Sequence, residues 1–379
     1  MKVLHLINTL SIGGAEKHLL TLSRYLKRQN VEVVVACLRE EVKGSRSLRL
    51  DFETEQIRVI NLRVDSRYDY RVFGKVARVL AAERPDVLHT HLPRADLAGA
   101  FARFLNPSVA WVCSVHAIYS EDWSGRWTLP LFNFLWRRAD VMLCISHAVR
   151  GWLVGRGVPA ETARVIHYGI EPEEFCEPKV NLREQWGLDG HAVIGSIGRL
   201  EPRKNHECLI AAMPKICTAL PSALLLIAGH DPWGHRAKLQ RHIDELGLRE
   251  NVRLIGFQND IPSFLKAIDV FAFGTNSEGF GQVVVEAMAM GKPVVASAIS
   301  PLTEIVVDGE TGRLVERGNP TAFAEALTCL INDPLEQRRM GVQGRKRVKK
   351  YFTAERMSHE TLLLYEKLLQ QKSAFRSIA

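Results

Sequence analysis

Two carboxylates, Glu278 and Glu286, lie eight positions apart in a segment that reads E-G-F-G-Q-V-V-V-E and continues A-M-A-M-G-K-P-V-V-A-S. This composition predicts a loop, a short helix and then a buried strand at 293–297. The N–H groups at the start of a helix attract phosphate, and Gly279 and Gly281 let a ligand approach the backbone closely. A diphosphate at the helix start, with one acid at each end, would form a nucleotide-sugar site. The alternative is an ordinary buried helix whose acids face solvent.

A second anion-binding element is predicted after the strand 193–197, where the chain reads G-R-L-E-P-R-K-N. A glycine and cations directly after a strand are well placed to hold a diphosphate, because arginine binds it bidentately and lysine acts as a point charge. The cations of this segment are Arg199, Arg203 and Lys204. A solvated loop is the alternative interpretation.

Two elements of the N-terminal half could face a ligand. Gly13 and Gly14 of S-I-G-G-A-E could turn backbone amides toward an anion, although a plain tight turn explains them equally well. His116 ends a predicted strand in S-V-H-A, where its ring would open onto a cleft. His89 and His91 also end a strand and could mark an acceptor side. A metal pair is disfavoured there, because no third ligand is evident.

Together these segments resemble the retaining glycosyltransferases of family four, which have the GT-B fold. The E-x(7)-E element is matched at both acids, the flanking E-A-M-A-x-G-K-P-V-V-A closely, and the G-G-A-E loop as well. The G-R-L-x-x-x-K-G element is matched at Arg199 and Lys204, with Asn205 in place of the last glycine. Arg203 has no counterpart in this element, and we expect it to lie on the surface. The resemblance implies transfer of a sugar from a nucleoside diphosphate sugar, above all a UDP-sugar, to a glycan acceptor with retention of configuration.

The resemblance also implies a role for the matching residues. Glu286 would hold the ribose hydroxyls, and Glu278 would contact the sugar. Arg199 and Lys204 would stabilise the charge that develops on the leaving diphosphate, an electrostatic effect of the kind that usually dominates catalysis. Three consecutive residues would contact sugar and phosphate: Gly279, Phe280 and Gly281.

Further roles follow from the same resemblance. His116 would position the hydroxyls and the anomeric carbon of the transferred sugar, and the nucleotide base would lie beside Gly256 and Phe257. The D-x-D motif, which binds metal and diphosphate in the other large glycosyltransferase fold, does not occur in the sequence. We therefore expect no bound metal and no cofactor besides the sugar nucleotide. No dedicated base is evident, which fits an attack on the same face in which the leaving phosphate takes the proton.

The sequence departs from the family pattern at two places. Ser300-Pro301 stands where the family commonly has Gly-Gly, and Pro301 has no N–H to donate. His167-Tyr168-Gly169 replaces the common Pro-Asn-Gly of the linker. Neither change removes a charged site residue, but they bear on the donor sugar and on the hinge.

Strand and helix signals alternate along the 379 residues, which favours an α/β protein with mostly parallel sheets and helices on both faces. Strands are predicted at 3–7, 31–38, 85–89, 110–116, 140–146, 193–198, 224–229, 252–256, 270–273 and 293–297. Two Rossmann-like halves would face each other across a cleft, with ligands at the carboxyl ends of the strands. The acceptor-side domain would span 1–168 and the nucleotide-sugar domain 169–354. The connection at 165–169 should be exposed. An amphipathic helix is predicted at 355–379, and the family resemblance implies that it packs back on the first domain.

Bulk properties limit the class of protein. The apolar content of 46% and the charged content of 24% are ordinary for a soluble protein. No apolar run approaches the ~20 residues needed to cross a bilayer, and the N-terminus lacks the basic start and cleavage site of a signal peptide. Seven cysteines without a C-x-x-C motif suit buried reduced thiols rather than disulfides or zinc. We therefore expect a cytoplasmic protein.

The net charge of +8 lies in the N-terminal half. Residues 1–168 hold 24 lysines and arginines against 16 acids, whereas residues 169–379 hold 26 of each. Aromatic and basic residues occur together in this half: Trp123, Arg126, Trp127, Phe132, Phe134, Trp136, Arg137 and Arg138. Such a mixture suits the interface of an anionic membrane. We predict peripheral binding at the inner face of the cytoplasmic membrane and a lipid-linked, lipopolysaccharide or exopolysaccharide acceptor. The alternatives are aromatic residues that fill the core and a solvated basic surface.

Other functions fit the sequence less well. Two carboxylates could serve a glycoside hydrolase, but the phosphate-binding elements disfavour it. G-G-A-E is not the G-x-G-x-x-G fingerprint of a nicotinamide dehydrogenase. A nucleotide-sugar epimerase of related fold would turn over its donor without an acceptor, and a binding protein would keep the site without catalysis. No helix-turn-helix or aromatic single-strand-binding face indicates nucleic acid.

Overall fold

The computed structural model describes residues 1–41, 46–66, 68–119, 128–175 and 180–376. The chain divides into an N-terminal unit, residues 1–169 together with 354–379, and a C-terminal unit, residues 170–353. Each unit contains its own parallel sheet with helices between successive strands. The predicted α/β fold class is confirmed.

Apolar runs form the strands of the N-terminal unit: β1 (Lys2–Ile7), β2 (Glu32–Cys37), β3 (Arg58–Asn61), β4 (Val87–His91), β5 (Ala110–Val115), β6 (Val141–Cys144) and β7 (Ala163–Val165). They pair in parallel in the order β3-β2-β1-β4-β5-β6-β7. The central strands are buried along most of their length, as expected when helices cover both faces of a sheet. The order reverses between β1 and β4, and ligands of such sheets bind at the carboxyl ends of the strands beside the reversal.

The C-terminal unit repeats this plan with six strands: β8 (Ala192–Ile197), β9 (Ala223–Ala228), β10 (Val252–Gly256), β11 (Val270–Phe273), β12 (Val294–Ser297) and β13 (Gly312–Val315). Their order is β10-β9-β8-β11-β12-β13, all in parallel. The reversal falls between β8 and β11. The segments that follow these two strands are therefore the places to look for a ligand site in this unit.

The helices of the N-terminal unit up to the boundary are α1 (Gly14–Arg28), α2 (Arg49–Thr54), α3 (Arg71–Glu83), α4 (Pro93–Leu105), α5 (Thr128–Trp136) and α6 (His147–Val154). Those of the C-terminal unit are α7 (Leu182–Gln185), α8 (His206–Ala219), α9 (Arg236–Glu245), α10 (Ile261–Ala267), α11 (Gln282–Ala289), α12 (Leu302–Ile305), α13 (Pro320–Ile331) and α14 (Pro334–Tyr351). Short 3-10 turns occur at Pro172–Phe175 and Pro202–Lys204.

The last helix, α15 (Ala354–Arg376), belongs to the N-terminal unit and packs against α1. Its apolar side chains Met357, Tyr365 and Leu368 are buried in the core of that unit. A polar contact adds to this packing, because Gln29 Nε2 donates a hydrogen bond of 2.7 Å to Ser358 Oγ.

Every strand that the sequence predicts is present. The strands that it does not predict are β3, β7 and β13, and each lies at an edge of its sheet. Edge strands are buried less completely, as the exposed or partly exposed residues of all three show. Their composition is therefore less strongly apolar, and a pattern of hydrophobic runs misses them.

The segment 165–169 is not the exposed connection that the sequence suggests. Ile166 and Tyr168 are buried, at 6% and 5% exposure. Ile166 packs in the core of the N-terminal unit, and the Tyr168 hydroxyl forms a hydrogen bond with His116. The prediction was wrong because polar and glycine residues flank Ile166 and Tyr168, so the burial of these two side chains is not evident from the sequence.

Two bulk predictions can be set against the described residues. Within these residues, no helix combines the length and the apolarity that crossing a membrane requires. The described cysteines are free thiols, and Cys37, Cys113, Cys144 and Cys208 among them are buried. Cys217 is partly exposed and Cys329 is exposed, whereas Cys176 lies outside the described residues.

Candidate functional site

The carboxyl end of β8 carries the predicted diphosphate loop. A Cβ at Gly229 would lie 1.9 Å from the carbonyl oxygen of Gly198, so only glycine fits beside the start of this loop. The loop then makes the 3-10 turn Pro202–Lys204 and reaches Asn205, whose φ of 51° is left-handed. Asparagine adopts this conformation more readily than most residues. Asn205 can therefore replace the last glycine of the family pattern.

Lys204 and Glu278 form an ion pair in this unit. Lys204 Nζ donates a hydrogen bond to Oε2 of Glu278, which follows β11, and both side chains are largely buried. Arg203 Nη1 lies 3.9 Å from Oε1 of the same carboxylate. Burial raises the pKa of Glu278, but the charges of Lys204 and Arg203 and the hydrogen bond from Lys204 hold it below its ordinary value. Glu278 is therefore ionised at neutral pH.

Glu201 holds two arginines beside this pair. Its Oε1 accepts hydrogen bonds from Arg199 Nη2 at 3.3 Å and from Arg203 Nη2 at 2.9 Å. Arg199 is half exposed, and its guanidinium lies 5.3 Å from the centre of the Trp233 ring. Arg203 is partly exposed, as a surface cation would be, but it also bridges Glu201 and Glu278. Glu201 is not among the predicted site residues, although an acid between two cations was a visible signal.

The predicted glycine turn precedes α11. Gly281 has a φ of 107°, and a Cβ there would lie 2.6 Å from Cδ2 of the buried Leu302. Both observations require glycine at the start of this helix. The Gly279 N–H donates a 3.2 Å hydrogen bond to Oε1 of Glu278, and the Phe280 side chain is buried. The turn therefore links the cation cluster to the first residues of α11.

Glu286 lies on α11 and is almost fully buried. Gln282, one turn earlier, donates a hydrogen bond from Nε2 to Oε1 of Glu286 at 3.1 Å. The two predicted acids thus have different surroundings, since Glu278 contacts cations and Glu286 contacts a neutral amide. At the end of β10, Gly256 has a φ of 74° and Phe257 exposes half of its side chain.

In the N-terminal unit the predicted glycine loop follows β1. Gly13 precedes α1 in an extended conformation, and Gly14 is the first residue of the helix. A Cβ at Gly13 would lie 2.5 Å from Oε2 of Glu16, whose side chain fills this space. Thr9 Oγ1 donates a 3.4 Å hydrogen bond to the other oxygen of Glu16. The glycine therefore makes room for the acid of the G-G-A-E sequence.

His116 directly follows β5 and is half-buried. Its Nε2 lies 3.0 Å from Nδ1 of His91, and its Nδ1 forms a hydrogen bond with the Tyr168 hydroxyl. Burial lowers the pKa of His116 to about 3. The ring is therefore neutral at physiological pH, and both of its nitrogens are engaged by protein groups.

More histidines surround His116 than the sequence predicts. His5 on β1 pairs in register with His89 on β4, and His18 on α1 presents the edge of its ring to His116 at 5.6 Å between ring centres. Ring nitrogens of His5, His89 and His91 lie within 4.8 Å of one another. The expectation that no third potential metal ligand accompanies His89 and His91 was therefore wrong. His5 was missed because its register with β4 cannot be read from a single strand.

Two parallel α/β units, each with polar clusters at the carboxyl ends of strands beside the reversal of strand order, define the GT-B class of glycosyltransferases. The family model described as Glycosyl transferases group 1 matches residues 179–347, and the model described as Glycosyltransferase Family 4 matches residues 12–174. The chain belongs to glycosyltransferase family 4.

Relatives and solved structures agree with this assignment. The chain is 27% identical over 382 residues to the capsular polysaccharide biosynthesis glycosyltransferase CapM of Staphylococcus aureus. This match covers 93% of this chain and 97% of CapM. It is 32% identical to the GDP-mannose-dependent alpha-(1-6)-phosphatidylinositol monomannoside mannosyltransferase of Mycolicibacterium smegmatis. That match spans 251 residues, which are 62% of this chain and 64% of that protein. The crystal structure of Anabaena HepE in complex with UDP and glucose matches with a TM-score of 0.86 at 25% identity, over 97% of this chain and 100% of HepE.

Proposed function

We propose that this enzyme transfers a sugar from a nucleoside diphosphate sugar to a glycan acceptor, with retention of configuration and without a bound metal. The observation that carries the proposal is the cation cluster after β8, where Arg199, Arg203 and Lys204 converge on Glu201 and Glu278. Three cations against two acids leave the cluster formally positive. A leaving diphosphate is an anion that such a preorganised cluster would stabilise.

In the proposed reaction, the bond between the anomeric carbon and the diphosphate oxygen breaks while the acceptor hydroxyl forms the new bond on the same face of the sugar. The hydroxyl proton passes to the leaving diphosphate, so no protein base is needed. Arg199 and Lys204 stabilise the charge that develops on the diphosphate. Glu278, ionised beside Lys204, orients a hydroxyl of the sugar, and Glu286 binds the ribose hydroxyls.

The proposed donor is a UDP-sugar. HepE, whose crystal structure contains UDP and glucose, matches nearly the whole chain, which supports this choice. The mannosyltransferase of Mycolicibacterium smegmatis is named for GDP-mannose, so a GDP-sugar is the competing donor. The base would lie beside Gly256 and Phe257, where the backbone rather than a charged side chain would make the contacts.

Thermal unfolding with UDP-, GDP- and ADP-sugars in the presence of EDTA tests the donor site. We expect one nucleotide class to raise the melting temperature of the wild type and to lose this effect in Glu286→Ala. The matched control is Glu325→Ala, an exposed acid of the same unit that pairs with Lys215, which should respond as the wild type does. A shift that requires divalent metal would contradict the metal-independent mechanism, and no shift with any donor would remove the main support for the proposal.

The competing enzyme class is a nucleotide-sugar epimerase of related fold. Such an enzyme would convert the donor without any acceptor. Incubation with the stabilising sugar nucleotide alone, followed by separation of the sugar products, distinguishes the two. An altered sugar that remains attached to the nucleotide would favour the epimerase.

We further propose that the acceptor is a lipid-linked, lipopolysaccharide or exopolysaccharide glycan and that the enzyme acts as a peripheral protein at the inner face of the cytoplasmic membrane. Large apolar side chains are exposed on α4 and α5, which contact each other, and we call them the α4–α5 patch: Phe101, Phe104, Leu105, Leu131 and Phe134. The guanidinium of Arg138 lies 4.0 Å from the centre of the Phe134 ring. Exposed aromatic and aliphatic groups beside arginine suit an anionic bilayer surface.

Part of the predicted membrane surface has another role. Phe132 and Trp136 are buried, and Trp136 Nε1 donates a 3.1 Å hydrogen bond to Oδ2 of the buried Asp96. These two side chains fill the core under α5, so the prediction that they face a membrane was wrong. Three other members of the predicted surface lie outside the described residues: Trp123, Arg126 and Trp127.

Co-sedimentation with vesicles tests the membrane proposal. The double variant Phe104→Ser/Phe134→Ser should lose binding to vesicles that contain phosphatidylglycerol, whereas vesicles of phosphatidylcholine alone should bind the wild type weakly. Leu335→Ser is the control, because Leu335 is equally exposed but belongs to the C-terminal unit. Unchanged binding of the double variant would exclude the α4–α5 patch as the membrane contact.

A further inference from the structure

Three histidines and a tyrosine form a continuous hydrogen-bonded chain in the N-terminal unit. His5 Nδ1 lies 3.0 Å from His91 Nε2, His91 Nδ1 lies 3.0 Å from His116 Nε2, and His116 Nδ1 contacts the Tyr168 hydroxyl. The members come from β1, from β4, from the end of β5 and from the segment before the unit boundary. His5 and His91 are fully buried and Tyr168 nearly so.

The protons of this chain are coupled. Burial lowers the pKa of His5 and of His116 to about 3 and that of His91 well below its ordinary value, so the three rings are neutral. A neutral imidazole has one N–H donor and one acceptor nitrogen. Each hydrogen bond therefore fixes the proton position in the next ring, and the whole chain must point in one direction.

The free end of the chain indicates which direction it takes. His5 Nε2 has no hydrogen-bond partner among the described residues. Buried N–H groups without an acceptor are rarer in proteins than acceptors without a donor, so this nitrogen carries the lone pair. His5 Nδ1–H then donates to His91, His91 Nδ1–H donates to His116, and His116 Nδ1–H donates to the Tyr168 oxygen.

We propose that Tyr168 is a positioning residue for His116, which it holds, through the chain from His5 and His91, with the ring proton on Nδ1 and the ring in a fixed plane. The packing around Tyr168 supports this assignment, since its ring stacks on His18 with centres 4.1 Å apart and planes 18° apart. Tyr168 occupies the position where the family pattern commonly has asparagine. The contact between Tyr168 and His116 therefore arises where this protein's sequence departs from that pattern.

The consequence for the reaction rests on the proposed function. Tyr168 and His91 engage both ring nitrogens of His116, so they fix the plane of the ring before the sugar binds. Both hydrogen bonds stay in place during the reaction, and the sugar meets a ring that is already oriented. Groups held in place before substrate binding lower the entropic part of the barrier.

A bound metal is the competing explanation for the grouping of His5, His89 and His91. His89 Nδ1 lies 2.5 Å from the Tyr365 hydroxyl and His89 Nε2 lies 2.7 Å from Ser114 Oγ. Both nitrogens of His91 are also engaged in the chain. A metal at these rings would have to break several hydrogen bonds, so the geometry favours the proton chain.

The first experiment measures ring protonation in the free protein, and it needs no substrate. Nitrogen NMR of histidine-labelled protein should show His116 protonated on Nδ1 in the wild type. Tyr168→Phe should shift the His116 ring nitrogens toward a mixture of the two tautomers. Tyr365→Phe is the matched control, because it removes an equally buried hydroxyl from His89 and should leave His116 unchanged.

Several outcomes would overturn the proposal. His116 protonated mainly on Nε2 in the wild type would reverse the chain, and identical His116 signals in the wild type and in Tyr168→Phe would exclude the positioning role. Zinc that copurifies in stoichiometric amount, or histidine signals that move on addition of zinc and return with EDTA, would favour the metal site instead.

The second experiment is a double-mutant cycle on turnover. If Tyr168 acts through His116, Tyr168→Phe should lower kcat roughly fivefold, the effect of one ordinary hydrogen bond, with little change in the KM for the donor. In the His116→Ala background it should have no further effect. An equal loss in both backgrounds would show that Tyr168 acts independently of His116. If no transfer activity is found, the proposed function fails, while the NMR result still decides the proton chain.

Discussion

Lys204 and Glu278, 74 residues apart in the chain, pair at the carboxyl ends of β8 and β11. These are the two strands between which the order of the C-terminal sheet reverses. A sheet of this topology opens a crevice at that point, and here it contains a formally positive cluster. The pair therefore unites two motifs that are distant in the sequence and places them where the fold class binds ligands.

The ion pair should make stability depend on acid pH. The pKa of Glu278 in the folded protein lies below the ordinary value of 4.5, so the carboxylate stabilises the fold fully above that value. The contribution is lost as the pH falls through the folded pKa. Urea unfolding of the wild type and of Glu278→Gln should differ at pH 7 and converge in strong acid. A gap that is the same at both pH values would show that Gln acts by disturbing packing.

Removal of the Lys204 charge should affect turnover more than folding. Lys204→Ala should lower kcat by about 10²- to 10³-fold, the usual effect of losing one group that stabilises transition-state charge. Lys204→Arg should restore only part of the activity, because a planar guanidinium does not replace a compact ammonium at a largely buried position. Lys215→Ala removes an exposed lysine of the same unit and should be nearly neutral. Activity of Lys204→Ala close to that of this control would exclude a catalytic role.

The central strands and the anion-binding loops could be predicted from the sequence for physical reasons. A strand buried on both faces must be apolar almost throughout, so β8 and β9 are visible as hydrophobic runs. Glycine is required at Gly229, because a Cβ there would lie 1.9 Å from the carbonyl oxygen of Gly198, and at Gly281, because the side chain of Leu302 leaves little space. Requirements of this kind depend on local geometry, and they leave a local signature.

The remaining features depend on contacts between distant segments. His5 joins His89 and His91 because β1 pairs with β4 in one register, and no single strand shows that register. Tyr168 is part of the predicted linker in the sequence, and only the folded structure shows the hydrogen bond between its hydroxyl and His116. Such pairings become visible when the order of the strands is known.

The buried histidines should make the protein sensitive to mild acid. The pKa of His5 falls from an ordinary 6.5 to about 3 in the folded protein because the ring is buried. Between these values the unfolded chain binds the proton more readily, so stability decreases as the pH falls, by about 1.4 kcal/mol per pH unit for one such group. His5→Gln should flatten the pH dependence of urea unfolding between pH 6.5 and 4.5. His359→Gln, at an exposed position of α15, should leave it unchanged; an equal slope in both variants would contradict the assignment.

Gly281 offers a test of the link between the glycine turn and the start of α11. Gly281→Ala should cost about 1–2 kcal/mol for a left-handed backbone, and the contact of the new Cβ with the buried Leu302 should add about 1–3 kcal/mol for overpacking. Gly318 also has a positive φ, of 71°, but no atom lies within 4 Å of a Cβ built there, so Gly318→Ala should show the first cost alone. Urea unfolding of the two variants measures the difference. Because the turn also connects Glu278 to the first amides of the helix, Gly281→Ala should weaken donor binding as well, whereas Gly318→Ala should not. Equal stability losses in both variants would mean that Leu302 moves aside and that the turn tolerates a side chain.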